Sequence, residues 1–169
     1  MKKLVVFYSL SGNTEIVART IAREMKADIC KLEEMKKPKR FFRYLTGGYA
    51  AGRDRCSEIK PIPFDVHDYD LILLGSPIWA SKPVPAVNSF IRDTDFRKKK
   101  LIPFFTMGGS EYEKARKNIT SKIEKNSGKV LDSFAVKTGL TLKTGGRKKH
   151  DEIVKETKKA IKLHLKHLA

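Results

Sequence analysis

The sequence predicts a doubly wound α/β domain, a three-layer sandwich in which helices cover both faces of a five-stranded parallel sheet. Three observations predict it. Short β-branched or apolar runs recur at residues 3–8, 27–32, 70–75, 101–106 and 129–136, with helix-like stretches between most of them. Strands that alternate with helices build βαβ units. The runs "LVVF" and "LILLG" are continuously apolar, as central strands covered on both faces must be. The chain has 169 residues, short of the ~250 that a closed (β/α)₈ barrel needs. No repeat, low-complexity tract or Ser/Gly linker divides it, so residues 1–169 are expected to form a single domain.

The elements follow in order. After the first strand, a helix at about 13–26 places Ile16, Val17, Thr20, Ile21 and Met25 on one stripe and turns Arg19, Arg23, Glu24 and Lys26 outward. After the third strand, "PVPAVNSFI" opens a helix with prolines near its first turn, where a missing N–H costs least. Val84, Val87, Phe90 and Ile91 form its inner face. Tyr112, Ala115, Ile119 and Ile123 do the same for the next helix, and Ile153, Val154, Thr157, Ala160, Ile161 and Leu168 for the last, at about 149–168.

Composition narrows the function. No segment approaches the ~20 apolar residues of a spanning helix and nothing reads as a secretory leader, so a cytoplasmic protein is expected. Cys30 and Cys56 lack the spacing of a disulfide framework or zinc site, and read as buried or idle thiols. His164 and His167 read as surface or core-edge residues, and no metal site is expected. The net charge of +17 implies attraction to something acidic, or else a lysine-rich solvated surface.

Ligands of open parallel sheets bind beyond the carboxyl ends of the strands, where strand order reverses. Three loops leave such ends: "SLSGNT", "SPIWASKPVP" and "MGGSEY". In the first, Ser9, Ser11 and Thr14 offer hydroxyls, Asn13 an amide, and Gly12 a backbone free to take positive φ. Set before a helix N-terminus, with its unpaired N–H groups and about half a positive charge, this makes a phosphate cup of dipoles without a cationic side chain. A plain helix cap would need only one of these residues. The loop lacks the Gly-Lys-Ser/Thr ending of triphosphate hydrolases and the spaced glycines of a dinucleotide fingerprint.

With "YSLSGNT" as phosphate loop, "YDLILLGSPIW" as third strand and following loop, and "TMGGSE" after the fourth strand, the sequence resembles the flavodoxin family. "SPIWASKPVPAVNSFI" is especially similar to flavodoxin-like proteins of anaerobic bacteria and archaea. The resemblance implies strand order 2-1-3-4-5 and FMN held non-covalently, its phosphate on Ser9, Leu10, Ser11, Gly12, Asn13 and Thr14. It places the flavin ring between the loops that begin at Ser76 and Met107, beside Pro77, Ile78, Trp79, Ala80, Gly108 and Gly109. Trp79, the single tryptophan, has the planar face to stack on the ring, though it would equally serve as a core or lid residue. Tyr112 is a weaker candidate for the second face, because its spacing also suits the inner stripe of a helix.

Two departures from the family bear on redox chemistry. Related loops often carry a glycine near the flavin N5, where a peptide flip stabilises the one-electron-reduced form. This chain reads Trp79-Ala80-Ser81-Lys82, so strong stabilisation of that form is not expected. Many flavodoxins are acidic, whereas this chain is basic and places Lys82 in the loop itself. A less negative two-electron potential than acidic relatives show is expected, and potentiometry that returns an equally low couple refutes it.

Residues 36–60 interleave basic residues with Phe41, Phe42, Tyr44 and Tyr49. Such interleaving also occurs on nucleic-acid surfaces, but the segment occupies the place of the second crossover helix. Its aromatics are therefore expected against the sheet, and a nucleic-acid function is not. The favoured function is an electron carrier between redox partners, with acidic ferredoxin-like or oxidoreductase proteins the electrostatic expectation. The alternative is an NAD(P)H-dependent FMN or quinone reductase. No catalytic acid/base pair or nucleophile stands out.

Overall fold

A computed structural model of the chain describes residues 1–35, 55–109, 112–138 and 150–168. Strand β1 (Lys3–Phe7) leads into helix α1 (Asn13–Met25) and strand β2 (Asp28–Lys31). Strand β3 (Leu71–Pro77), helix α2 (Pro85–Asp93), strand β4 (Lys100–Met107) and helix α3 (Tyr112–Lys125) follow. Two short strands, β5 (Lys129–Val130) and β6 (Phe134–Lys137), precede helix α4 (His150–His164). The expected aromatic crossover helix falls mainly on residues 36–54, outside the described ones. Beside it, Glu34 and Ile59 form an antiparallel bridge.

The sheet runs β2-β1-β3-β4-β5, with every pairing parallel and β6 also on β4. Strand order therefore reverses at β1, which lies between β2 and β3. Alternation along the strands makes the three layers. Leu4, Val6, Ile72, Leu74, Leu101 and Phe105 join Val87, Phe90 and Ile91 of α2 and Ala115, Ile119 and Ile123 of α3 in one core. Their neighbours Val5, Phe7, Leu71, Leu73, Ile102 and Phe104 face the other way, onto Val17, Ile21 and Met25 of α1 and Ile153 and Ile161 of α4. Each such fully buried side chain contributes on the order of 1.5–3 kcal/mol by leaving water.

The fifth strand differs from expectation. Leu101 pairs with Val130 and Phe104 with Phe134, so three steps along β4 meet four along the edge. The extra residue is a β-bulge, here between parallel strands. Ser133 N–H donates to its neighbour's carboxylate, Asp132 Oδ1, at 2.7 Å. The other Asp132 oxygen lies 2.8 Å from His164 Nδ1, and the Tyr112 hydroxyl donates to the Ser133 carbonyl at 2.7 Å. His164 stacks on Phe134 with centroids 5.4 Å apart, so it is a core-edge residue with a carboxylate partner that the sequence did not reveal. His167 is exposed.

At the opposite end of the sheet from the three loops, the buried Tyr69 hydroxyl donates to Asp28 Oδ2 at 2.7 Å. Burial first, and the Asp28 hydrogen bond second, push this phenol up to about 12 from its ordinary 10.0. A folded-state value above the unfolded one means the folded chain holds the proton more tightly. The stabilisation is complete below pH 10 and lost as the pH rises toward about 12. Denaturant titrations across that window should show a fall in stability that Tyr69→Phe flattens, and an unchanged slope in the variant would refute the assignment.

Candidate functional site

The loop after β1 leaves the sheet at the strand-order reversal. Its Gly12 is the N-cap of α1 with φ 93° and ψ −18°, the left-handed region that favours glycine, and no side chain caps the helix. Ile16 N–H returns to the Gly12 carbonyl at 3.0 Å, which closes the first turn and leaves the N–H groups of residues 13–15 at the open end. The Gly12 N–H donates to Ser9 Oγ at 3.1 Å, so the Ser9 hydroxyl proton remains available to a ligand. A Cβ placed on Gly12 would meet nothing within 4 Å, so space opens directly before the helix end. Ser9, Leu10 and Ser11 are half-buried. Asn13 and Thr14 are buried, and the Thr14 hydroxyl shares a 2.8 Å hydrogen bond with that of Thr106 at the end of β4.

One turn further, Glu15 accepts from Lys31 Nζ at 2.6 Å and from Arg19 Nη2 at 2.8 Å. Lys31 first and Arg19 second hold its carboxyl below the ordinary 4.5. Glu15 is thus a neutralised anion beside the cup rather than a repulsive one.

The loop after β3 is tied down at both ends. Ser76 is fully buried, and its hydroxyl accepts from Val84 N–H at 3.2 Å and donates to the Pro77 carbonyl at 2.8 Å. The Ser76 hydroxyl is therefore directed inward, where it fixes the approach to Pro85 at the start of α2. Ile78 N–H donates to the Thr106 carbonyl at 3.0 Å and so joins this loop to β4. Trp79 and Lys82 exchange both backbone hydrogen bonds at 3.0 Å around a two-residue turn. Ala80 and Ser81 stand there at φ 48° and 64°. A turn with both central residues left-handed prefers Asn-Gly, and each L-residue in that region costs about 1–2 kcal/mol. Ala80→Gly and Ser81→Gly are each expected to raise stability by up to about 1 kcal/mol after the entropic cost of glycine. Urea midpoints test this, and a decrease would show that the turn is unstrained.

Trp79 is half-buried and meets the ring of Tyr8 edge-on, with centroids 6.1 Å apart and planes at 89°. The Tyr8 hydroxyl donates to Glu34 Oε2 at 3.0 Å. Neither partner was visible in the sequence, because Tyr8 reads as the last residue of an apolar strand and Glu34 as a surface charge. Met107 is half-buried and Gly108 and Gly109 are exposed; the Met107 carbonyl accepts from Thr138 N–H at 3.0 Å. Tyr112 lies edge-on to Phe105 at 5.8 Å with its hydroxyl on Ser133, as the inner stripe of a helix would place it. Of the two free thiols, Cys30 is buried and its burial raises the pKa, whereas Cys56 is exposed. Among the described residues no group of three or more His, Cys, Asp or Glu is placed to hold a metal, and no helix is long and apolar enough to cross a membrane.

A doubly wound sheet with an uncapped helix end at its switch point defines a class of α/β proteins that bind phosphorylated ligands over the strand ends. The sequence profile of the flavodoxin family matches residues 50–144, which include the loops after β3 and β4 but not the loop before α1. The chain belongs to the flavodoxin family. It is 28% identical over 158 residues to a flavodoxin-like domain-containing protein, BilS, of Clostridioides difficile, a match covering 92% of this chain and 75% of that one. Its fold is similar to that of a flavoprotein of Lactobacillus acidophilus crystallised in complex with FMN. That match has a TM-score of 0.69 and 21% identity, over 79% of this chain and 92% of the other. Flavodoxin 2 of Bacillus cereus gives a TM-score of 0.58 at 16% identity, over 95% and 94% of the two chains.

Proposed function

We infer that residues 1–169 act as one cytoplasmic FMN-binding domain that carries electrons between redox partner proteins. The observation that carries this reading is the Gly12-initiated, uncapped N-terminus of α1 at the reversal of strand order. Its donor set fits a phosphate dianion: backbone N–H groups, the free proton of Ser9 Oγ, the Ser11 hydroxyl and the buried Asn13 amide. FMN, when bound, supplies the one- and two-electron chemistry. The chain's own residues bind and orient it. The cup holds the phosphate, Trp79 on its Tyr8 support walls the ring site, and Pro77, Ile78, Gly108 and Gly109 offer backbone groups at the ring edge.

The basic surface favours acidic partners, since opposite fields speed encounter. An anaerobic reductive titration of flavin-loaded protein, with and without NADPH, tests the carrier role. Bleaching only when a reduced redox protein is supplied supports it. Rapid bleaching by NADPH alone establishes the reductase instead.

A further inference from the structure

Two buried hydroxyls meet where the cup touches the sheet. Thr14, in the first turn of α1, is 2% exposed, and Thr106, near the end of β4, is 4% exposed. Their Oγ1 atoms lie 2.8 Å apart, and either can be the donor. The pair carries two protons, and only one of them fits between the oxygens. Neither oxygen makes another hydrogen bond among the described residues. One buried O–H proton is therefore left without an acceptor there, which is costly unless a ligand accepts it. Two other helical threonines, Thr20 and Thr157, donate to the carbonyls of Ile16 and Ile153 at 2.8 and 2.7 Å. Thr14 comes too early in α1 for a partner of that kind, since Leu10 precedes the helix. The surroundings decide which proton is left over. The residues paired with Thr106 on either side are Pro77 and Val136, and neither has a side-chain acceptor. A proton left on Thr14 instead stands in the turn whose N–H groups and dipole favour an anion.

We propose that Thr106 is a positioning residue of the phosphate site, which donates to Thr14 Oγ1 and so commits the Thr14 proton to the bound phosphate. The proposal rests on the FMN reading of the cup and extends it across the sheet to β4. The two bonds run in one direction, from Thr106 to Thr14 to the anion, so each polarises the next. The same contact holds Thr14 in one of the two rotamers open to a helical threonine. The Thr106 carbonyl accepts from Ile78 N–H, so one residue joins the cup to the loop after β3.

The test titrates flavin-free protein with FMN and with riboflavin by fluorescence, and records the phosphorus NMR resonance of bound FMN. The variants are Thr106→Val, Thr106→Ser, Thr14→Val and the double Thr14→Val/Thr106→Val. Valine keeps the branched shape and the Ile78 bond, whereas serine keeps the donor. Thr106→Val is expected to weaken FMN about three- to tenfold, from the freed rotamer and the lost polarisation. It should also shift the phosphorus resonance and leave riboflavin affinity unchanged. Thr106→Ser should return both FMN readouts to the wild-type values. The double variant should bind FMN no more weakly than Thr14→Val alone, because Thr106 acts only through Thr14. If melting shows the Thr106→Val protein unfolded, Thr106→Ala takes its place with the same expectations. Equal loss of both flavins, no loss of FMN, or a further loss in the double variant overturns the role of Thr106 and leaves the cup intact. Wild-type protein that binds FMN no better than riboflavin overturns the cup itself, and the proposal with it.

Discussion

Replacing Asn13 by aspartate is expected to lower FMN affinity a hundredfold or more while changing stability by less than about 1 kcal/mol. The two effects separate because the site rests on dipoles. A carboxylate in the first turn of α1 interacts well with the helix N-terminus, which offsets the cost of placing it at a buried position. The same carboxylate faces the phosphate dianion. Two unit charges about 4 Å apart at an effective dielectric of 20 repel by about 4 kcal/mol, and about 2.7 kcal/mol already corresponds to a hundredfold. Flavin titration and thermal melting of the same sample check both halves. Retained FMN affinity would mean that the phosphate lies elsewhere.

The largest expected effect on stability comes from Gly75→Ala. Gly75 pairs with Phe7 on one side and Phe104 on the other, in the centre of the sheet. A Cβ there would overlap Phe104 Cζ and lie 2.9 Å from Phe7 Cβ. The Phe104 ring cannot easily yield, because it is fully buried and stacked on Phe134 at 6.0 Å with planes 18° apart. Overpacking of this kind costs about 2–3 kcal/mol. For a chain of this size that is a fall of about 5–10 °C in Tm. Adding Phe104→Leu should recover part of the loss, so the double variant is more stable than the two single effects predict. Strict additivity would show that the methyl is accommodated by a backbone shift instead. The residue that preserves this central packing lies immediately before the Ser76 loop, so the core and the site share one strand end.

The central strands were legible because both their faces are buried, which leaves unbroken apolar runs such as "LVVF" and "LILLG". Strand order came from the resemblance to the flavodoxin family, the α1 stripe from its helical spacing, and the start of α2 from its prolines. The bulge at Asp132 was not legible. One extra residue on an edge strand leaves the local pattern of "KVLDSFAV" intact, and only the pairing with β4 exposes it. In the site, residue types and loop positions could be read, but the directions of side chains could not. The hydroxyl of Ser76, which opens a loop expected to flank the ring, is turned inward to Val84. Thr14 spends part of its hydroxyl on Thr106, which lies 92 residues away. Tyr8 and Glu34, which support Trp79, come from the ends of different strands. Such partners are set by topology, and no spacing rule within a single loop encodes them.

The most direct test of the phosphate cup compares flavin-free protein titrated with FMN and with riboflavin, which differ only in the phosphate. Trp79 emission and flavin fluorescence can be followed together. FMN is expected to bind at least about a hundredfold more tightly, as two or more charge-assisted hydrogen bonds of about 1.5–3 kcal/mol each would give. Equal affinity for the two, or saturation by neither, would contradict the account.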